Sequence, residues 1–203
     1  VAATAKESLI DGLPKTIEID LDSDEMGMGI PCGGYMSVIV EPQMLNKTLL
    51  IRGMGGLTEI LCTMASLLKF KVIVQTPEDE KDRYPDAEKI ITDSLEIEDI
   101  DFPVDFFILA THHRNDDRIS LEAIKKGIPY VGVVASAKKT GIILEYLRKN
   151  GATEEELGCF FSPTGLELNA KTPEHIALSI LSEMVMLTNG GSGKQKKIKS
   201  TTD

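Results

Sequence analysis

Hydrophobic and polar residues follow two different patterns along this chain, and the pattern changes near residue 47. Before that point, residues 16–21 and 35–40 alternate between apolar and polar side chains, as half-buried strands do. A short helix is predicted over residues 2–13, ahead of the first of these strands. Two strands and one helix bury little apolar surface. We therefore predict a small N-terminal α+β segment over residues 1–46.

From residue 47 onward, short apolar runs alternate with longer segments of helical periodicity. The runs predict buried strands at residues 48–52, 71–75, 105–110 and 129–134. Helical periodicity covers residues 57–70, 138–149 and 173–189. A further helix, capped by Asn115 or Asp116, is predicted to run through residues 121–126, and residues 77–83 are predicted as a charged loop. Strands that alternate with helices of this length form a parallel sheet with crossover helices. Because a glycine-rich turn follows the first strand, we predict a Rossmann-type doubly wound α/β domain over residues 47–189.

Composition narrows the class of protein. The chain has 203 residues, of which 42% are hydrophobic, and no apolar run reaches the length of a membrane span. The net charge of −10 argues against nucleic acid as a partner, since phosphate binding needs a basic face. Only residues 190–203 are basic, and we predict a disordered tail there. Three cysteines without Cys-x-x-Cys spacing and the absence of a signal peptide favour a cytoplasmic protein.

A glycine turn after the first strand of the α/β domain is the main candidate for ligand binding. Gly53, Gly55 and Gly56 match part of the G-x-G-x-x-G fingerprint, with Thr58 in place of the third glycine. Such a turn lets a phosphate approach the backbone at a helix N-terminus, although it can also be a tight turn without a ligand. At the end of the next strand, Gln75 stands where nicotinamide enzymes place an acidic residue for the ribose, which disfavours NAD(P).

Polar residues also follow the third and fourth strands of the predicted sheet. His112 and Asp117 follow the third strand, and Ser136 and Lys138 follow the fourth. Adjacent histidines rarely face one ion, so we predict no metal site and instead a loop that contacts the ligand. Hydroxyl, ammonium and helix N-terminus together suit an anion, although an ordinary solvated helix start has the same residues.

The N-terminal segment contains one cysteine in an unusual setting. Pro31 precedes Cys32, and Gly33 and Gly34 follow it, so the backbone there presents a thiol more readily than it packs one. The alternative is a small residue that merely fits beneath a turn. The other two cysteines, Cys62 and Cys159, lie in apolar surroundings and are predicted to be buried.

Three groups of residues resemble the XdhC/CoxI family, the accessory proteins of xanthine dehydrogenase and aerobic carbon monoxide dehydrogenase. The groups are residues 31–34 with 40–42, residues 110–112 with Asp117, and residues 162–166 with 172–183. The likeness extends over most of residues 1–188. It implies a Rossmann-domain protein that binds the molybdenum cofactor, promotes its sulfuration and delivers it to an apo-hydroxylase.

The resemblance implies a role for each candidate residue. Cys32 becomes the candidate catalytic residue, as a sulfur or metal contact. The candidate residues for binding the cofactor, as a bare molybdopterin or as its dinucleotide, are Gly33, Gly34, Gly53, Gly55, Gly56, His112, Asp117, Ser136 and Lys138. On this interpretation the protein is not itself an enzyme. The alternatives are an NAD(P)-dependent oxidoreductase and a regulatory module that senses a nucleotide.

The implied partners are a molybdenum hydroxylase and a further protein chain. Only 31 residues precede Cys32, whereas family members usually have a longer N-terminal domain there. We therefore expect a homodimer, or a complex with a separate chain that supplies the N-terminal half.

Overall fold

The computed structural model of the protein describes residues 1–20, 34–42, 46–94, 96–111 and 115–196. The chain divides into two compact units, Val1–Leu45 and Asn46–Asp203.

The N-terminal unit contains one helix and a two-stranded antiparallel sheet. Helix α1 (Ala2–Asp11) ends where Gly12 adopts a left-handed conformation. Strands β1 (Lys15–Asp20) and β2 (Tyr35–Val40) pair along their whole length. The buried Ser8 hydroxyl donates a 2.6 Å hydrogen bond to the Leu13 carbonyl and so connects the helix to the start of the sheet.

The alternation of apolar and polar residues along 16–21 and 35–40 predicted both strands correctly.

The second unit contains a six-stranded sheet in which every pairing is parallel. The strands are β3 (Thr48–Gly53), β4 (Lys71–Gln75), β5 (Lys89–Ile91), β6 (Phe106–Ala110), β7 (Val131–Val133) and β8 (Phe160–Phe161). Their spatial order is β5-β4-β3-β6-β7-β8, so the chain moves outward from β3 in one direction, returns to the centre at β6 and continues the other way. This is the strand order of a Rossmann-type doubly wound fold, as the sequence predicted.

Helices connect the strands of this sheet. They are α2 (Gly55–Leu67), α3 (Asp116–Lys125), α4 (Ala137–Lys149), α5 (Glu154–Leu157) and α6 (Pro173–Thr188). Side-chain caps fix several of their starts: Ser136 accepts a hydrogen bond from the Lys139 N–H, and Thr172 accepts one from the His175 N–H. Pro173 fills the first position of α6, where its missing N–H costs nothing.

The two faces of the sheet bury separate cores. On one face, Leu49, Ile51 and Ile108 join the core formed with α2 and α6. On the other face, Leu50 and Phe107 join the core formed with α3 and α4. Side chains alternate between the faces along each strand. Each fully buried aliphatic side chain contributes about 1.5–3 kcal/mol, so two filled faces hold the sheet rigid.

Four elements differ from the sequence prediction, and one of them is the short helix α5 (Glu154–Leu157), which was not predicted. A 3₁₀ helix, Glu78–Arg83, replaces the charged loop that was predicted after β4. Strands β5 and β8 were missed, because three and two residues are too few for a recognisable period. Hydrogen bonding to β4 and β7 places these short strands in the sheet, and a sequence does not display such pairing.

The segment after β8 is anchored to α6. The Glu183 carboxylate accepts hydrogen bonds from the Gly165 N–H at 2.9 Å and from the Tyr130 hydroxyl. The Leu166 N–H donates to the Ser179 carbonyl at 3.1 Å. Gly165 has φ = +103°, and a Cβ there would lie 3.1 Å from the Ile180 nitrogen. Residues 162–166 and 172–183, which carry the family resemblance, therefore act together in docking α6.

Two glycine substitutions should change stability in opposite directions. Gly165→Ala should lower the free energy of unfolding by at least about 2 kcal/mol, because it adds left-handed strain and places a Cβ too close to Ser179 Oγ. Gly141→Ala, in the exposed interior of α4 where a Cβ meets open space, should raise it by about 0.5–1 kcal/mol. Urea unfolding followed by circular dichroism measures both. A neutral Gly165→Ala would contradict the anchoring described above.

Candidate functional site

The carboxyl ends of β3 and β6 form the crevice in which a doubly wound sheet binds ligands. These strands are neighbours in the sheet, yet the chain leaves them in opposite directions, and this reversal opens a gap between the loops that follow. The glycine turn lies on the β3 side. Thr111 and the start of α3 lie on the β6 side.

Two of the three glycines of the turn have a structural reason to be glycine. A Cβ on Gly53 would lie 2.7 Å from the Ala110 carbonyl oxygen and would also clash with Thr58. Gly55 has φ = +75°, which disfavours other residues. Gly56 is different, because a Cβ there would meet nothing within 4 Å. Only the open approach at Gly56 is a feature that a ligand could use.

Helix α2 begins at this turn without a side-chain cap. Met54 occupies the N-cap position and makes no capping hydrogen bond. The first N–H groups of a helix have no acceptor within the helix, and they lie at the positive end of its dipole. An anion in front of Gly56 would therefore find hydrogen-bond donors without any rearrangement of the turn.

A carboxylate from the 3₁₀ helix reaches the first of these N–H groups. The Gly55 N–H donates to Glu80 Oε2 at 3.1 Å, and the Tyr84 hydroxyl donates to the same oxygen at 3.4 Å. Arg83 pairs with Glu80 at 3.3 Å and with Glu59 of α2 at 3.1 Å, which ties the 3₁₀ helix to α2. Burial, reinforced by the nearby Glu80 charge, raises the pKa of Tyr84. An acidic residue therefore flanks the glycine turn.

A buried ion pair lies on the β6 side of the crevice. Asp116 is 3% exposed, and its carboxylate accepts hydrogen bonds from the Thr111 hydroxyl and the Lys139 ammonium group. Thr111 follows β6, Asp116 begins α3, and Lys139 lies in the first turn of α4. Residues from the end of β6 and the starts of α3 and α4 thus meet at one carboxylate. The sequence analysis missed this cluster, although the Asp-Asp and Lys-Lys pairs at both positions were visible in it.

The sequence-predicted residues of the same loops lie elsewhere. Asp117 accepts a 2.8 Å hydrogen bond from the Arg118 N–H, within the first turn of α3. Ser136 caps α4, and Lys138 is exposed. The structure therefore joins Asp116 to Lys139 and does not join Asp117 to Lys138. Contact of Asp117, Ser136 and Lys138 with a ligand remains a prediction.

Several predicted site residues lie outside the described part of the chain. These are Cys32, Gly33 and His112. Gly34 is described, directly before β2, and has φ = +138°, so it does use a backbone conformation that favours glycine. Within the described ranges, no group of three or more His, Cys, Asp or Glu side chains could hold a metal ion.

The two other cysteines have raised thiol pKa values. Cys62 is 1% exposed, as predicted, and burial raises its pKa to about 11. Cys159 is half-buried, its Sγ lies 3.1 Å from the Glu156 carbonyl, and burial also raises its pKa. Because the thiolate is the reactive form, neither cysteine is suited to nucleophilic chemistry near neutral pH.

Two polar side chains at the end of β4 are buried without full hydrogen bonding. Gln75 is 1% exposed; its Nε2 donates to the Ser94 carbonyl at 3.0 Å, and its Oε1 has no partner. Thr76 is also 1% exposed, and its hydroxyl lies beside the Tyr84 hydroxyl without a well-formed hydrogen bond. Buried polar atoms are rarely left unpaired, so these two mark the carboxyl end of β4 as unusual.

Comparisons with known proteins agree with this architecture. The family model described as the XdhC Rossmann domain matches residues 49–184. YqeB of Escherichia coli (strain K12) is 29% identical over 174 residues, which cover 82% of this chain and 32% of that protein. A Bacillus subtilis (strain 168) protein, named as a probable subunit of xanthine dehydrogenase, is 29% identical over 106 residues, or 50% of this chain and 30% of that protein.

A solved structure has a similar fold. The crystal structure of a xanthine dehydrogenase from Bacillus halodurans superposes with a TM-score of 0.62 at 29% sequence identity, over 77% of this chain and 47% of that one. This chain therefore spans about a third of the curated relatives and about half of the solved protein. No helix in the described ranges is both long and apolar enough to cross a membrane.

The buried ion pair should contribute more to stability than its neighbour in sequence. Asp116→Asn should lower the free energy of unfolding by about 2 kcal/mol, because Lys139, whose side chain is 22% exposed, loses its counter-charge. Asp117→Asn should cost less than about 1 kcal/mol, the usual effect of a charge in the first turn of a helix. Urea unfolding of both variants tests this order. Equal losses in the free energy of unfolding for the two variants would show that the ion pair at Asp116 does not stabilise the fold more than the charge at Asp117.

Proposed function

This chain belongs to the XdhC Rossmann-domain family, and we propose that it is an accessory protein that binds the molybdenum cofactor and assists its sulfuration and insertion into a molybdenum hydroxylase. The observation that carries the proposal is the open N-terminus of α2 at Gly56, located where the order of the strands reverses. The names of two relatives, both referring to xanthine dehydrogenase, support a client of that type.

The glycine turn fits the phosphate of a pterin cofactor. Gly53 and Gly55 hold the backbone in a shape that brings the start of α2 to the surface, and Gly56 leaves the approach clear. Lys138 and Ser136 at the start of α4 would add a cation and a hydroxyl from the other side of the crevice. When bound, the cofactor supplies the molybdenum on which the client hydroxylase depends. The chain's own part is to orient the cofactor and shield it until transfer.

The N-terminal unit would supply the sulfur chemistry. Cys32 is the candidate contact for sulfur or molybdenum, with Gly33 and Gly34 shaping the backbone around it. Within the described ranges, Cys62 and Cys159 are unsuited to this role because burial keeps their thiols protonated. His112 and Asp117 would line the cofactor on the β6 side.

The partners would be a client hydroxylase and another protein chain. A two-stranded sheet is marginal by itself, and strand edges readily pair with a further strand. Strand β2 also exposes Tyr35 and Ile39. We propose that a second copy of this chain, or a different protein chain, pairs with this unit.

Cofactor retention should depend on Gly56. Protein purified from its own host should release an oxidised pterin, detected as form-A fluorescence. Gly56→Glu places a side chain and a negative charge in front of α2, where the phosphate would bind, and should lower the pterin content at least tenfold. Gly141→Glu is the matched control, because Gly141 also faces open space but lies away from the crevice, within α4.

The pterin content of the two variants and of the wild-type protein tests both the location of the site and the proposed function. Equal pterin content in both variants would place the cofactor elsewhere. A wild-type protein without pterin, even from cells supplied with molybdate, would contradict the proposed function. Circular dichroism confirms that both variants keep the wild-type helix content.

Maturation of the client should require the Cys32 thiol. Cys32→Ser and Cys32→Ala should both abolish activity of the hydroxylase in the host while leaving bound pterin unchanged, because only a thiolate carries sulfur or binds molybdenum. Cys159→Ser serves as the control and should leave the client active. A fully active hydroxylase with both Cys32 variants would show that the thiol only fills space.

A further inference from the structure

We propose that a groove between α2 and α6 binds an amphipathic helix of a partner protein, and that acidic residues flank the apolar face of that helix. The groove has a volume of about 600 Å³. Among the residues that line it are Leu67, Leu68, Leu178, Val185, Lys194 and Lys196. The inference does not rest on the cofactor, and it goes beyond the proposed function by assigning a surface to a protein partner of stated chemistry.

Helices α2 and α6 lack the charged outer face of a helix that meets water. The one charged residue of α2 is Glu59, which pairs with Arg83. After its first turn, α6 also has one charged residue, Glu183, and its carboxylate binds the Gly165 N–H. A helix that is apolar on all sides is normally buried on all sides. The outer sides of these two helices therefore fit a further layer of protein.

Leucine side chains are exposed along the groove. Leu67, in the last turn of α2, is 75% exposed, and Leu178 of α6 is 47% exposed. Helix α4 has a more usual surface, because it exposes Lys138, Glu145 and Arg148 to solvent. An apolar patch with a polar rim marks an interaction site more often than scattered single leucines do. The α2 and α6 surface is such a patch.

The segment after α6 forms one wall of the groove. The Gly191 N–H donates to the Met186 carbonyl at 2.8 Å, so the chain turns back along the end of α6. A Cβ on Gly193 would lie 2.9 Å from Met186 Sδ and 3.8 Å from Leu166 Cδ2, which shows how closely this segment packs. Lys194 follows directly and lines the groove beside the apolar side chains.

Positive charge lies at the rim of the groove. Lys194 and Lys196 line it, and Lys69 directly follows Leu68. None of these three lysines forms an ion pair with a residue that the structure describes. Among the described residues that line the groove, none is acidic. The chain as a whole carries a net charge of −10, so a basic rim around an apolar floor is a local exception that complements an acidic, amphipathic occupant.

The shape of the groove favours a helix over a small molecule. Pockets for small molecules enclose most of their ligand, whereas Leu67 and Leu178 remain open to solvent. An open groove along two helices is the receptor in helix-in-groove recognition, where apolar side chains at i, i+3, i+4 and i+7 are the anchors. The partner helix would place those side chains against α2 and α6 and its carboxylates near the lysines.

Other occupants complement the groove less well. An anionic membrane is flat, and it repels a protein whose net charge is −10. Residues 197–203 of the chain contain one apolar side chain, Ile198, and more lysine than acidic residues. They therefore match neither the apolar floor nor the basic rim.

Two designed peptides test the apolar and the electrostatic parts of the inference. Both are fluorescein-labelled helices of about 18 residues with the same leucine face, which glutamate flanks in one peptide and lysine in the other. Fluorescence anisotropy should show that the glutamate peptide binds to the full chain at least about tenfold more tightly than the lysine peptide.

Substitutions in the groove should change this binding selectively. Leu67→Ser and Leu178→Ser should each weaken the glutamate peptide about tenfold, because each removes a leucine that the peptide buries. Ile142→Ser is the matched control, since Ile142 is also an exposed aliphatic residue but lies on α4, and it should leave the affinity unchanged. Lys194→Glu combined with Lys196→Glu should abolish the preference for glutamate. Circular dichroism verifies that each variant is folded.

Several results would overturn the inference. Equal affinity for the two peptides, no binding of either, or unchanged binding by both leucine variants would each do so. Binding to phosphatidylcholine vesicles that contain about one-third phosphatidylserine, lost in Leu178→Ser, would assign the groove to a membrane. Self-association that the same substitution abolishes, measured by light scattering, would assign it to a second copy of the chain. Tenfold tighter peptide binding after removal of residues 197–203 would make the chain's own end the occupant.

Discussion

Strands β3 and β6 pair so closely at their carboxyl ends that position 53 has no room for a side chain. A Cβ on Gly53 would lie 2.7 Å from the Ala110 carbonyl oxygen. This pairing is also the place where the order of the strands reverses. The loops that leave β3 and β6 therefore run in opposite directions, and the reversal of strand order is enough to open the crevice between them.

Carboxylate side chains are stabilised in different ways on the two sides of the crevice. On the β6 side, Asp116 and Lys139 neutralise each other, and Thr111 satisfies a further lone pair of the carboxylate. On the β3 side, Glu80 uses the Gly55 N–H and the positive end of α2. Both arrangements hold polar groups rigidly before any ligand arrives. A rigid, hydrogen-bonded lining is compatible with the proposed role, in which a cofactor is bound and later transferred.

The most specific part of the family resemblance has a structural explanation. Glu183 of α6 binds the Gly165 N–H and the Tyr130 hydroxyl, and Gly165 adopts a conformation that side chains disfavour. These contacts dock α6 beside α2 on one face of the sheet. They therefore stabilise the helix whose N-terminus forms the glycine turn. A motif can identify a family through the residues that support a site as well as through those that touch a ligand.

Local patterns were sufficient to predict most of the fold. Alternation along residues 16–21 and 35–40, and apolar runs at residues 48–52 and 71–75, gave strands close to those observed. The glycine residues at positions 53 and 55 predicted the turn, because close approach at Gly53 and positive φ at Gly55 leave few other choices. Each of these features depends on residues that are near one another in the chain.

Tertiary structure alone decided which polar side chains meet. The sequence does not distinguish Asp116 from Asp117 or Lys138 from Lys139. Helix geometry nevertheless directs only Asp116 and Lys139 toward each other. No acidic residue stands at position 75, but a 3₁₀ helix brings Glu80 to the glycine turn, 25 residues after Gly55. Such contacts depend on the direction in which a side chain points and on the path of a loop. Packing against the sheet determines both. The spacing of residues along the chain does not show either of them.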